Sequence, residues 1–276
     1  GGNRMKSPIE PIHVLSLGAG VQSSTAALMF ARGEIGPMPT AAIFSDTCAE
    51  PSAIYEWLAW LETQLPFPVY RVQKADGLTR NLERSINGGR FAGAPFFAKT
   101  ATGIGPMRRQ CTKEFKIEPI VAKVRELVGL TKGQRGGKTI RAVQYIGISV
   151  DEIYRMKPSR TPWIEHRWPL VDQRMSRHDC LRWMEQNGYP QPPRSACVYC
   201  PYKSNHEWRL LRKTDPAGWA EACRIDALIR TGVRGVRDPL FVHRQLLPLA
   251  EVDLRTDLDQ GQGDLFGNEC EGLCGN

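Results

Sequence analysis

The chain has 276 residues, 41% of them hydrophobic and 24% charged, enough to bury a full core as one large domain or a domain with a sizeable appendage. No apolar run approaches the ~20 residues of a membrane span, and eight cysteines without a secretory signal argue against a disulfide framework, so the expectation is a cytoplasmic protein. A net charge of +8 and a pI near 9.2 favour polyanionic partners, nucleotides or nucleic acid, through long-range attraction.

In chain order, residues 12–17 read as a short buried strand, followed by a Gly-rich turn and a helix over 23–32 that ends at Gly33. Residues 40–45 give a second strand. Glu50-Pro51 then opens a helix with Ile54, Trp57, Leu58 and Leu61 on one face, and 68–72 supply a third strand. Strands alternating with helices of this length predict an α/β fold: a mostly parallel sheet with helices on both faces. Residues 75–110, rich in Gly, Pro and Arg, lack clear periodicity and read as a long excursion, a candidate lid. A helix follows over 119–128, then a strand over 143–148 that runs into the polar segment 149–155. Beyond Pro169 the pattern becomes helical: Ser176 caps one helix, Ser204 with Glu207 forms a capping box for the next, and Asp215-Pro216 starts a third. The predicted division is a nucleotide-binding domain over 10–172 and a helical, cysteine-bearing region over 173–276 packed on it.

The turn Ser16-Leu17-Gly18-Ala19-Gly20-Val21-Gln22-Ser23-Ser24 leads from the first strand into the first helix. Glycines before a helix N-terminus leave backbone N–H groups free to face an anion, which the helix dipole also favours. Gly18 and Gly20 permit close approach, and Ser16, Ser23 and Ser24 add hydroxyl donors. The Gly-Lys-Ser/Thr of a Walker A loop is absent, and Ser23 stands where a dinucleotide fingerprint has its third Gly or Ala. The competing reading is an ordinary strand-to-helix turn with serine caps.

Ser16, Gly18, Ser23 and Ser24 after a buried strand resemble the PP-loop of the ATP pyrophosphatase and phosphoadenylylsulfate (PAPS) reductase superfamily. Asp46-Thr47-Cys48-Ala49-Glu50 is similar to that family's Asp-Thr-Gly-x-Glu, with Cys48 in place of the Gly. Cys111, followed by Lys116 and Pro119, resembles its Cys-bearing segment. Gly147-Ile148-Ser149-Val150-Asp151-Glu152 with Arg155 is similar to its Gly-Ile-Arg-x-x-Glu motif, with Ser149 replacing Arg. Pro169-Leu170-Val171-Asp172 and Cys197-Val198-Tyr199-Cys200-Pro201 complete the series in the right order. The resemblance implies an adenine nucleotide α-hydrolase-like fold with ATP or PAPS across the C-terminal edge of the sheet, where open α/β sheets place ligands. The candidate nucleotide site is then Ser16, Gly18, Ala19, Gly20, Val21, Gln22, Ser23, Ser24, Asp46, Gly147 and Arg155, with Asp46 and Asp151 as catalytic carboxylates. Asp46 and Glu50 are placed to hold Mg²⁺ or position the nucleotide, or Asp46 to cap a helix. Lys116, Arg108 and Arg109 are placed to neutralise phosphate or sulfate, or are solvated cations.

Cys111, Cys197, Cys200 and one tail thiol, Cys274 or Cys270, make a four-thiolate set suited to a [4Fe–4S] cluster or to zinc. The second pair is a CxxxC about 70 residues beyond the first, unlike the ~15–20-residue spacing of zinc ribbons, and the resemblance points to iron–sulfur. The tail segment around Cys270 loosely resembles the Glu-Cys-Gly-Leu-His of the reductases, in which the Cys is the nucleophile. Cys180 and Cys223, within helical patterns, read as core thiols.

Three functions are open. The leading one is an ATP pyrophosphatase of the sulfur-transfer type, with a nucleic acid (tRNA or DNA) as one acceptor and a sulfur-donor protein as partner. The second is a PAPS or adenylylsulfate reductase using Cys270 and a thioredoxin-like partner. The third is a zinc-stabilised nucleic-acid-binding protein without turnover.

Overall fold

A computed structural model describes residues 10–255 apart from 92, 102 and 237. Five strands, β1 (Ile12–Ser16), β2 (Ala41–Asp46), β3 (Val69–Gln73), β6 (Ala142–Ile146) and β7 (Ile164–Arg167), form an all-parallel sheet in the order β3-β2-β1-β6-β7. The central strand β1 pairs Ser16 with Ile43 on one side and with Ile146 on the other. Helices cover both faces, so the predicted α/β class holds.

On one face α1 (Val21–Ala31), α2 (Ser52–Gln64), the single turn α5 (Pro169–Asp172) and α6 (Arg177–Gln186) pack on Leu15, Phe44, Val143 and Tyr145. Val21 to Phe30 are all buried, so α1 is an interior helix rather than a surface one. On the other face α4 (Glu118–Leu127) sets Ile120 and Val124 against Val14, Ile43 and Ala142.

A second core gathers α7 (Asn205–Thr214), α8 (Pro216–Ile229) and, from far upstream, α3 (Gly77–Ile86) with the hairpin β4 (Phe97–Thr100) and β5 (Gly103–Pro106). Leu82, Phe96, Trp208, Ile225 and Leu240 are wholly buried there, and Phe97 exchanges backbone hydrogen bonds with Phe241. The aperiodic excursion expected over 75–110 is therefore corrected: its first part is helical and, with the hairpin, lies in a core shared with the C-terminal helices. Its apolar stripe is narrow, Leu78, Leu82 and Ile86, one residue per turn among charged neighbours, and the partners that bury it lie more than a hundred residues away in sequence. The short strand β7 was likewise not anticipated, because an edge strand reading Ile-Glu-His-Arg carries almost no apolar signal.

Candidate functional site

Strand order reverses between β1 and β6: the chain builds β2 and β3 outward on one side of β1, then returns to add β6 and β7 on the other. Such a switch point opens a crevice at the C-terminal strand ends. The Gly-rich turn follows β1 on one side of it, and residues 147–155 follow β6 on the other.

The turn is folded back on its own helix. The Gly18 N–H donates to Ser23 Oγ at 3.1 Å, Ala19 takes the left-handed conformation at φ 58°, and Gly20 is an N-cap with no side-chain cap on the first turn of α1. The first-turn N–H groups therefore retain their capacity for an anion. All three serines are buried, and each oxygen already accepts a bond: Ser16 from Gln144 Nε2 (2.6 Å), Ser23 from Gly18, and Ser24 from Trp57 Nε1 (2.9 Å). A hydroxyl that accepts in this way keeps its own proton to donate. Gly147 is required by close approach: a Cβ there would lie 2.7 Å from Ser23 N and 2.8 Å from Ser23 Cα, both backbone atoms.

Across the crevice, Gln22 Nε2 donates to Glu152 Oε2 (3.2 Å) and lies 3.4 Å from Ser149 Oγ. Glu152 also receives Arg155 at 2.6 Å, an ion pair buried at both ends. Asp151 is exposed and accepts the backbone N–H of Arg177 at the start of α6. Arg155 thus stands behind Glu152 in a buried network, and Asp151 secures a helix start.

On the β2 side, Asp46 Oδ1 accepts from the Cys48 N–H (2.7 Å) and the Tyr55 hydroxyl (2.8 Å). The helix-capping alternative for Asp46 is corrected, because α2 begins after Pro51 with no side-chain cap. Burial and the neighbouring Asp46 carboxylate push the Tyr55 phenol far above its usual range. Cys48, standing where the related motif has Gly, adopts φ 57°, the conformation that favours glycine.

Lys116 is buried, with its ammonium 3.4 Å from Glu50 Oε1, which also accepts from Thr47 Oγ1 at 3.1 Å. The solvated-cation alternative is therefore corrected for Lys116. It sits in a π-helical turn, Lys113–Ile117, held to β2 by the Ser45 hydroxyl on Phe115 O (2.7 Å). Single π turns re-aim side chains within a helix, often at functional sites. Arg109 lies over the Tyr202 ring at 5.4 Å.

The CxxC turn docks on the same loop through the Val198 N–H to Ala49 O (2.7 Å). The Cys200 N–H folds back to Cys197 O (3.0 Å), and Cys197 Sγ lies 3.3 Å from Thr47 Oγ1. Because the Thr47 proton goes to Glu50, the Cys197 thiol is the donor. Burial, with Glu50 beside it, pushes that thiol well above its usual range. Cys111 opens the helical segment that leads into the π turn and is half-buried. Among the described residues no three His, Cys, Asp or Glu side chains gather as a metal site; Cys111 and Cys197 both pack against the second core. Cys270 and Cys274 lie outside the described residues. Cys180 is wholly buried and Cys223 half-buried against apolar neighbours.

No protein-family model and no curated protein matches this chain. Among solved structures it is similar to a PAPS reductase from Candida auris in a phosphate complex, with a TM-score of 0.44 and 13% identity over 66% of this chain and 76% of that one. Among the described residues no helix is long and apolar enough to cross a membrane.

Three side chains at this site carried no assigned role in the sequence: Tyr55, Trp57 as an indole donor, and Gln144. Gln144 carried a usable signal, since a glutamine inside the buried run Ala-Val-Gln-Tyr-Ile needs a polar partner.

Proposed function

We propose that the crevice between β1 and β6 binds ATP by its phosphates and that the protein is an ATP pyrophosphatase of the sulfur-transfer type. One observation carries the reading: the uncapped first turn of α1, pressed onto Gly147, stands beside three buried serine hydroxyls whose oxygens are engaged and whose protons are not. Donors fixed in this way, with no reorganisation required, are suited to polyphosphate. An acceptor oxygen attacks the α-phosphorus, the bond to the β-phosphate breaks, and pyrophosphate leaves. Asp46, held by Tyr55 and the Cys48 N–H, would supply a carboxylate to hold Mg²⁺, which would neutralise charge on the phosphates. A sulfur donor then displaces AMP from the adenylated acceptor.

Cys197 and Cys200 fit as two ligands of a metal group, a [4Fe–4S] cluster on this reading. Both thiols lie on one tight turn, closed by the Cys200 N–H on Cys197 O, and sulfur is the donor type such a group takes. Cys111 and the tail residue Cys274 are proposed to complete the set. Arg255 O accepts from Asn205 Nδ2, at the start of α7 and five residues beyond Cys200 in sequence, at 3.2 Å. With Cys274 as fourth ligand every iron would be held by a thiolate; with only three cysteines one iron would be left open to bind a sulfur species, whereas zinc would be purely structural.

Calorimetry with Mg·ATP on the wild type and on Gly20→Val, and on Ser23→Ala with Ser24→Ala, tests the reading. Both variants should lose ATP binding with helix content unchanged, and undiminished affinity would remove it. Sulfite release from PAPS, abolished by Cys270→Ser with the metal content intact, would assign the protein to the reductases instead.

A further inference from the structure

We propose that Ile153 and Tyr154 form a docking platform for single-stranded nucleic acid, presenting the acceptor to the nucleotide crevice; the acceptor role rests on the function proposed above. The platform follows from the local geometry. Val150–Arg155 is a 3₁₀ segment, in which residues three apart eclipse. The buried Glu152–Arg155 ion pair claims the inward direction, and Glu152 itself departs from helical geometry at φ −121°, ψ 20°. Ile153 and Tyr154 are thereby turned to solvent, 55% and 69% exposed, the only adjacent pair among the exposed large apolar side chains described. Two such side chains side by side on a rigid segment form a small apolar surface with an aromatic face.

Their position is tied to the crevice. The segment starts four residues beyond β6, and Gln22 of the phosphate turn donates directly to Glu152. Platform and phosphate turn are therefore joined through one buried side chain. Backbone bonds from Val150 N to Met175 O (2.9 Å) and from Arg177 N to Asp151 Oδ1 (3.1 Å) bring the turn 174–177 alongside. That turn carries an exposed Arg174 and a partly exposed Arg177, and the chain beyond Tyr154 carries exposed Lys157 and Arg160. The nearby carboxylates are Asp151, which holds the Arg177 N–H, Asp172, and Asp179, which is paired with Arg182.

An aromatic face among cations is the combination that single-stranded nucleic acid uses, with bases stacking on the ring and phosphates meeting Arg and Lys. A duplex keeps its base faces covered, so it cannot use Tyr154 in this way. An acidic protein would answer the cations but not the aromatic face, and the net charge of +8 adds long-range attraction for a polyanion.

Fluorescence anisotropy of the full chain with a labelled single-stranded 12-mer, as RNA and as DNA, at low and high salt, tests the platform, with Mg·ATP calorimetry in parallel. The wild type should bind the single strand in a salt-sensitive manner and the matching duplex more weakly. Tyr154→Ala should weaken single-strand binding by about fivefold or more, the loss of one stacked base. Tyr154→Trp should retain binding, Arg174→Glu should weaken it, and ATP affinity should stay at the wild-type value in all three. The proposal is overturned if ATP binds and the oligonucleotide does not, or if Tyr154→Ala binds as well as wild type. Tyr154-dependent binding of a poly-glutamate peptide in place of the oligonucleotide would also overturn it and assign the surface to a protein. Oligonucleotide binding through Tyr154 without any ATP binding would uphold the platform and remove the proposed function.

Discussion

Gln22 and Glu152, 130 residues apart in sequence, meet at 3.2 Å, so the phosphate turn and the segment after β6 are joined directly through their side chains. Glu152 accepts from Gln22 on one oxygen and from Arg155 on the other. Arg155→Met should therefore leave a buried carboxylate without its cation and destabilise the protein by about 3–5 kcal/mol. Glu152→Gln, which keeps the shape and removes the charge, should change the carboxylate's bond to Gln22 as well as its bond to Arg155. A urea midpoint for Arg155→Met equal to that of wild type would show that the pair is not a buried one.

The packing of α1 on Gly147 gives a second expectation. Gly147→Ala places a methyl group 2.7 Å from the Ser23 backbone nitrogen, and backbone yields less readily than a flexible side chain. Overpacking of this kind costs about 1–3 kcal/mol, and here it also displaces the turn that offers its N–H groups to phosphate. Stability and ATP affinity should fall together; a stability loss with affinity intact would separate Gly147 from the nucleotide site.

The cysteines divide by environment. After anaerobic purification, Cys197→Ser and Cys200→Ser should lose bound iron, because a hydroxyl is a poor ligand for it. Cys180→Ser and Cys223→Ser, which pack against apolar side chains, should keep it at some cost in stability. Equal iron in all four variants, by elemental analysis, would rule out the CxxC as ligands. Deleting the chain after Gly267 should likewise lower the iron content if a tail thiol completes the set.

His243 gives a pH dependence. Burial, with the Arg244 charge beside it, lowers its pKa from 6.5 to about 4. Gln245 N–H donates to its Nδ1 (3.2 Å), and its Nε2 lies 2.9 Å from Asn205 Oδ1, which fixes a neutral ring. Between these pH values the unfolded chain binds the proton and the folded chain does not. Stability supplied by this group is therefore full above pH 6.5 and is lost as pH falls towards 4, by up to about 3 kcal/mol. Urea titrations at stepped pH should show this slope reduced in His243→Asn, and an identical slope in the variant would reject the assignment.

Local periodicity and turn chemistry determined much of this protein from sequence alone. The parallel sheet was legible because β1, β2 and β6 are buried over most of their length and read as mainly apolar runs, interrupted by His13 and Gln144. The cap at Ser176 and the capping box at Ser204 formed as read, since each needs only residues three apart, and Asp179 completes a box at Ser176 as well. The phosphate turn was visible in Gly18, Gly20 and its serines. What each serine donates to or accepts from was not, because the partners Gln144 and Trp57 come from other elements. Only the tertiary structure decided that α3 belongs to the C-terminal core, that Lys116 is paired with Glu50, and that Asp151 holds a helix start while Arg155 is buried behind Glu152. The physical reason is the same in each case. Helix and strand patterns are set by neighbours along the chain, whereas the burial of a charge and the choice of its partner are set by which distant segments the sheet order brings together.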